Sequence, residues 1–184
     1  MPKKIMLPSL KRRPNSNLFS PLVQYRYSAA FPVAPTQGDC DGTSRRTGQG
    51  IVMLSYIIVG ANDIPRSERF YTAVLEPLGY EKAEQKDAVM YTRPDIPDRF
   101  NGPGAVYVTK PYDGREATVG NGSMIAFRVP THAQVHALHS AGVTAGGTDE
   151  GAPGFRAQYS KNFFVGYLSD PVGNKLALFC TADG

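Results

Sequence analysis

Apolar residues recur along this chain in two rhythms, one of period two and one of period near four, and the same succession appears twice. Met53–Val59 is short and rich in β-branched residues, and it ends at the turn Gly60-Ala61-Asn62-Asp63, which predicts a buried strand. A helix follows. Asn62 or Asp63 can cap it, Pro65 suits its first turn, and Phe70, Val74 and Leu78 fall at i, i+4 and i+8 on one face. Gly79 stands where a helix end favours a left-handed residue. Strands are then expected near Tyr80–Glu84, Ala88–Arg93 and Ala105–Thr109.

Ser123–Val129 reads as another strand, and Thr131 opens a second helix with Gln134 three residues on, a capping-box pattern. Val135 and Leu138 form its inner stripe and Gly142 ends it. Strands follow near Phe155–Tyr159, Phe163–Ser169 and Lys175–Cys180. The pattern is β-α-β-β-β written twice, about seventy residues apart, which predicts an α+β fold of two paired modules. Neither module alone buries much apolar surface, so the two should pack together and leave a cleft between curved sheets.

Composition splits the chain. Residues 1–50 carry six prolines and eight Lys/Arg against two Asp, whereas residues 51–184 carry twelve Lys/Arg against fourteen Asp/Glu. The net charge of +4 therefore belongs to the leader, and the remainder gives no basis for nucleic-acid binding. The leader reads as a disordered, basic, Pro-rich extension. An organelle transit peptide is the alternative, weakened by prolines that would interrupt its helix. The folded domain is expected over 53–182, with modules at 53–110 and 122–181. No run is apolar enough to span a membrane. Cys40 and Cys180 are too few for a disulfide scaffold and suit a reducing compartment, so the expected location is cytoplasmic, or mitochondrial if the leader directs import.

Several segments, in this order and spacing, resemble the vicinal oxygen chelate superfamily of glyoxalases, bleomycin-resistance proteins and extradiol dioxygenases. They are Asn62-Asp63-Ile64 through Arg69-Phe70-Tyr71, Val74-Leu75-Glu76-Pro77-Leu78-Gly79-Tyr80, Pro111-Tyr112-Asp113-Gly114, Gly120-Asn121-Gly122, the Gly-rich run 145–154, and Asp170-Pro171-Val172-Gly173-Asn174-Lys175-Leu176. The likeness is to small glyoxalase-like members. It implies paired β-α-β-β-β modules, a homodimer, and a cleft where a divalent metal acts as Lewis acid on vicinal oxygens. Carried over, the four metal-ligand positions are Tyr56, Tyr107, Met124 and Ala177. Metal-binding relatives would have His for Tyr56, His or Gln for Met124 and Glu for Ala177.

Those replacements change the chemistry. Alanine has no donor, a thioether suits soft ions, and a phenol titrating near about 10 is a poor ligand unless strongly activated. No metal and no other cofactor is expected in the cleft.

The histidines His132, His136 and His139 share roughly one helix face but lack a carboxylate, and are expected at or near solvent. The glycine-rich pieces Gly120–Gly122 and Gly142–Gly154 match no phosphate-loop spacing and read as turns. Cys180 reads as a buried thiol. Strand alternation places Tyr56, Tyr107 and Met124, with Ala177 and Phe179, along one cleft wall, and Phe127 and Tyr167 complete the expected ligand-binding set. Such a lining suits a planar organic molecule. Arg93, Arg128 and Arg156 are candidate anion anchors at the rim or solvated strand-edge charges. The sequence thus points to a glyoxalase-like protein that binds a small organic molecule. The alternative is a lyase, isomerase or dioxygenase of that superfamily, using a non-standard metal site or Tyr56 or Tyr107 as acid/base.

Overall fold

The computed structural model describes residues 54–182, so residues 1–53, and with them the expected extension, lie outside the described residues. The elements run β1 (Tyr56–Gly60), α1 (Ile64–Leu75), a short 3-10 turn (Glu76–Leu78), β2 (Glu81–Gln85), β3 (Ala88–Thr92) and β4 (Ala105–Thr109). They continue as β5 (Met124–Arg128), α2 (His132–Thr144), β6 (Thr148–Phe155), β7 (Phe164–Ser169) and β8 (Lys175–Cys180). The fold is α+β, with two four-stranded mixed sheets ordered β1-β4-β3-β2 and β5-β8-β7-β6. In each, the first and last strands of the module run parallel side by side, while the other pairs are antiparallel.

Local chemistry explains the boundaries. Asp63 caps α1 by accepting the Arg66 N–H at 2.9 Å, and Pro65 occupies the first turn. Gly79 closes the following 3-10 turn at φ 84, a left-handed conformation that costs glycine nothing. Thr131 caps α2 through the Gln134 N–H at 3.2 Å, but the reciprocal half of the expected capping box is missing: Gln134 Oε1 is buried with no hydrogen-bond partner among the described residues.

The helices meet each other, and one core joins both modules. Phe70, Tyr71 and Val74 of α1 pack with Val135 and Leu138 of α2 and with Val106, Val108, Leu168, Leu176 and Leu178 of the sheets. Each large side chain so buried contributes about 1.5–3 kcal/mol relative to exposure.

Two expectations are corrected. The glycine-rich run is not all turns, because β6 occupies Thr148–Phe155, ahead of the expected Phe155–Tyr159. Register shifts at Asp149/Gly151 and Gly151/Gly154 hid its alternation. The histidines do not all face solvent. His139 is buried, with Nε2 3.0 Å from Tyr167 O and 3.3 Å from Asp149 Oδ1. It continues the stripe Val135, Leu138, Gly142 at i+4 from Val135. His132 stacks on Phe164 with centroids 4.4 Å apart, and only His136 is exposed.

Candidate functional site

Every strand has a face against the helices and an open face, and period-two alternation decides which side chains lie on which. In the first sheet, Val59, Val106, Val108, Val89 and Tyr91 turn to the helix and are buried. Tyr56 and Ile58 therefore point the other way and are exposed, and Tyr107, paired with Ile58, shares their face. The Tyr56 and Tyr107 rings meet edge to face at 5.6 Å. Residues 93–104 fold over the far part of this face: the Tyr107 hydroxyl donates to Phe100 O, and Arg99 reaches Thr92 Oγ1 at 3.1–3.2 Å and Glu81 at 2.6 Å.

The second sheet repeats the arrangement. Met124, Ala126 and Arg128 lie on the open face, with Lys175, Ala177 and Phe179 as their register partners on β8 and Tyr167 opposite Ala177. Tyr107 stands to Tyr56 as Ala177 stands to Met124, each two residues beyond the register partner on the parallel strand. The repeat thus places the four expected ligand positions in equivalent spots of the two open faces.

Phe127 departs from the expected set. It is on the helix-facing side, buried in the common core, because it alternates with Met124-Ala126-Arg128 rather than joining them. The open face instead carries aromatic neighbours from the β6–β7 connection. Phe163 stacks on Phe179 at 5.5 Å, and Tyr159 meets Phe163 edge-on at 5.5 Å. Lys175 is also part of this face, with Nζ 5.2 Å from the Tyr167 ring centre. Its alternation with Ala177 and Phe179 was the sequence signal for it.

β1 and β5 are both edge strands. A cavity of about 590 Å³ lies where they approach, lined by Tyr56, Ile57, Val106, Ile125, Phe127 and Arg128 among others. A second hollow of about 440 Å³ sits on the open face of the second sheet, lined by Met124, Tyr159, Tyr167, Lys175, Arg156 and Glu150 among others.

The three arginines differ. Arg93 is committed to Asp95 through bonds of 2.8 and 3.0 Å, which hold that carboxyl below the usual carboxylate range. Arg128 donates to Thr181 Oγ1 at 2.6 Å and lies 4.8 Å over the Phe179 ring. Arg156 donates to the Ala152 and Phe155 carbonyls at 3.0 and 3.2 Å.

Among the described residues no group of three His, Cys, Asp or Glu side chains comes together to hold a metal. The donor set at the four family positions, two phenols, a thioether and a methyl group, does not fit a hard divalent ion. Among the described residues no helix is long and apolar enough to cross a membrane.

No protein-family model matches this chain, and no curated protein is similar to it. Solved structures are. A glyoxalase-related enzyme from Fulvimarina pelagi is 20% identical over 70% of this chain and 87% of its own, with TM-score 0.54. A glyoxalase/bleomycin resistance protein/dioxygenase family enzyme from Burkholderia phytofirmans is 18% identical over 71% and 100%, with TM-score 0.53. These two share the fold. A glyoxalase/bleomycin resistance protein from Albidiferax ferrireducens goes further, at 35% identity over 71% of this chain and 100% of its own, with TM-score 0.61. With that identity across an entire relative, and with the module repeated strand for strand, this chain belongs to the glyoxalase/bleomycin resistance protein family of the vicinal oxygen chelate superfamily.

Proposed function

We propose that this protein binds a small organic molecule on the open faces of its two sheets, without the divalent metal of its metal-dependent relatives. The observation that carries the reading is the chemistry at the four equivalent positions: Tyr56, Tyr107 and Met124 offer aromatic and apolar surface, and the buried Ala177 a methyl group, in place of hard donors. Rings at Tyr56 and Tyr107, together with Tyr167 and Phe179, suit a planar ligand held by stacking and a few hydrogen bonds. A screen of neutral and charged aromatic fragments tests it. Saturable thermal stabilisation without turnover is the expected result. No fragment raising the unfolding temperature contradicts it.

The second reading is a lyase, isomerase or dioxygenase of the same superfamily, with a tyrosine hydroxyl as acid/base. The exposed Tyr56 phenol, next to Tyr107, supports it. Turnover of a screened substrate that is abolished by Tyr56→Phe would favour this reading over simple binding. A homodimer belongs to the same proposal: among the described residues β1 and β5 each leave one strand edge unpaired, and a second copy would cover both. Light scattering at twice the chain mass is expected; a monomer contradicts it. A cytoplasmic location is likewise proposed, and a mature N-terminus shortly before Met53 in cell extracts would point to import instead.

A further inference from the structure

The aromatic surface of the second sheet has cations at both ends. Arg128 covers Phe179 at 4.8 Å, Phe179 stacks on Phe163, Phe163 meets Tyr159, and Tyr159 lines the same hollow as Tyr167. Tyr167 is then flanked by Arg156 at 5.9 Å and Lys175 at 5.2 Å from its ring centre. Among the described residues none of Arg128, Arg156 and Lys175 has a carboxylate within ion-pair distance. Two like charges gathered about one ring repel each other unless an anion lies between them. Glu150 lines the same hollow, its Oε1 accepting from Ser169 Oγ at 2.7 Å, and offsets one of the two charges there.

We propose that the hollow beside Met124 binds a planar organic carboxylate, its ring on Tyr159 and its carboxylate between Arg156 and Lys175. The inference rests on the small-molecule reading and names its ligand class. Charge selects the carboxylate. Arg156 and Lys175 against Glu150 leave one net positive charge in the hollow. A monoanion neutralises it, whereas a dianionic phosphate brings one charge too many. Shape selects the ring: the hollow holds about 440 Å³, and its wall includes the exposed ring of Tyr159. Arg156 is oriented by its bonds to Ala152 and Phe155 carbonyls, so its remaining N–H groups require little further ordering to meet a ligand.

The test is titration of the full-length protein with 1-naphthoate, 1-naphthamide and 1-naphthyl phosphate, followed by calorimetry. The carboxylate should bind about tenfold or more tighter than the uncharged amide, and the phosphate no tighter than the carboxylate. Lys175→Gln should remove most of that preference, and Lys175→Arg should restore it. Equal affinity for naphthoate and naphthamide overturns the inference and leaves the small-molecule reading standing. Tighter binding of the phosphate, or a Lys175→Gln protein with the preference intact, also overturns it. No saturable heat with any probe overturns the inference, and the small-molecule reading with it if neutral fragments also leave the protein unchanged.

Discussion

Tyr71 on α1 donates its phenol hydrogen to Asp170 Oδ2 at 2.8 Å, a buried bond between residues 99 apart. It ties the first module's helix to the β7–β8 turn of the second. Asp170 is fully engaged: Oδ1 accepts the N–H groups of Val172, Gly173 and Asn174 at 2.8–2.9 Å, and Oδ2 also accepts Asn174 Nδ2 at 3.0 Å. Tyr71→Phe leaves that oxygen short of a donor inside the core. It should cost about 1–3 kcal/mol of stability, read as a lower urea midpoint. An unchanged midpoint would contradict a structural role for the bond.

The helix junction depends on a missing side chain. A Cβ at Gly147 would sit 2.5 Å from Phe70 Cε2 and 2.7 Å from Ser169 O, and the second is backbone that cannot step aside. Gly147→Ala should destabilise by about 1–3 kcal/mol in urea unfolding. A neutral or stabilising effect would mean that α1 and the second module are packed more loosely than described.

Alkali should weaken the fold through its buried phenols. Burial, above all, pushes the Tyr91 pKa up to about 12. Tyr71 is raised too, first by burial and then by Asp170. Both phenols titrate near about 10 in an unfolded chain. A raised folded-state value means that the native protein holds the proton more tightly. That stability is complete below pH 10 and is lost as pH rises toward 12. The urea midpoint should fall across this window, and less so in Tyr91→Phe. A flat profile would refute the assignment.

The loop over the first sheet is held by the Tyr107 hydroxyl as well as by Arg99. Tyr107→Phe removes the bond to Phe100 O and should cost about 1 kcal/mol, with faster hydrogen exchange across residues 96–104. Unchanged exchange there would show that Arg99, bonded to Thr92 and Glu81, suffices to hold the segment.

Much of this was legible in the chain. Asp63 and Pro65 announce the start of α1 because caps act locally, and they lie where expected; α1 ends earlier, at Leu75, and Gly79 closes the 3-10 turn that carries Leu78. The Asp170–Leu176 run carries the family resemblance, and the ring of donors around Asp170 gives the physical reason for its residue types. Tyr56 and Tyr107 share a face because strand alternation is strict. Other features depend on tertiary context. The bulges of β6 erased its alternation, and Phe127 fell on the opposite face by a single residue of phase. His139 is buried because Gly166 leaves room beside it, with its Cβ position 3.0 Å from the His139 ring, which no helix pattern could reveal.

The central claim concerns four side chains. Tyr56, Tyr107, Met124 and Ala177 occupy equivalent places in the two modules and lack the hard donors a divalent ion needs. Elemental analysis of the purified full-length protein, dialysed without chelator, tests this most directly. Nickel, zinc, manganese and iron should each be far below one equivalent per chain. Close to one equivalent of any of them, lost on Tyr56→Ala, would contradict the account.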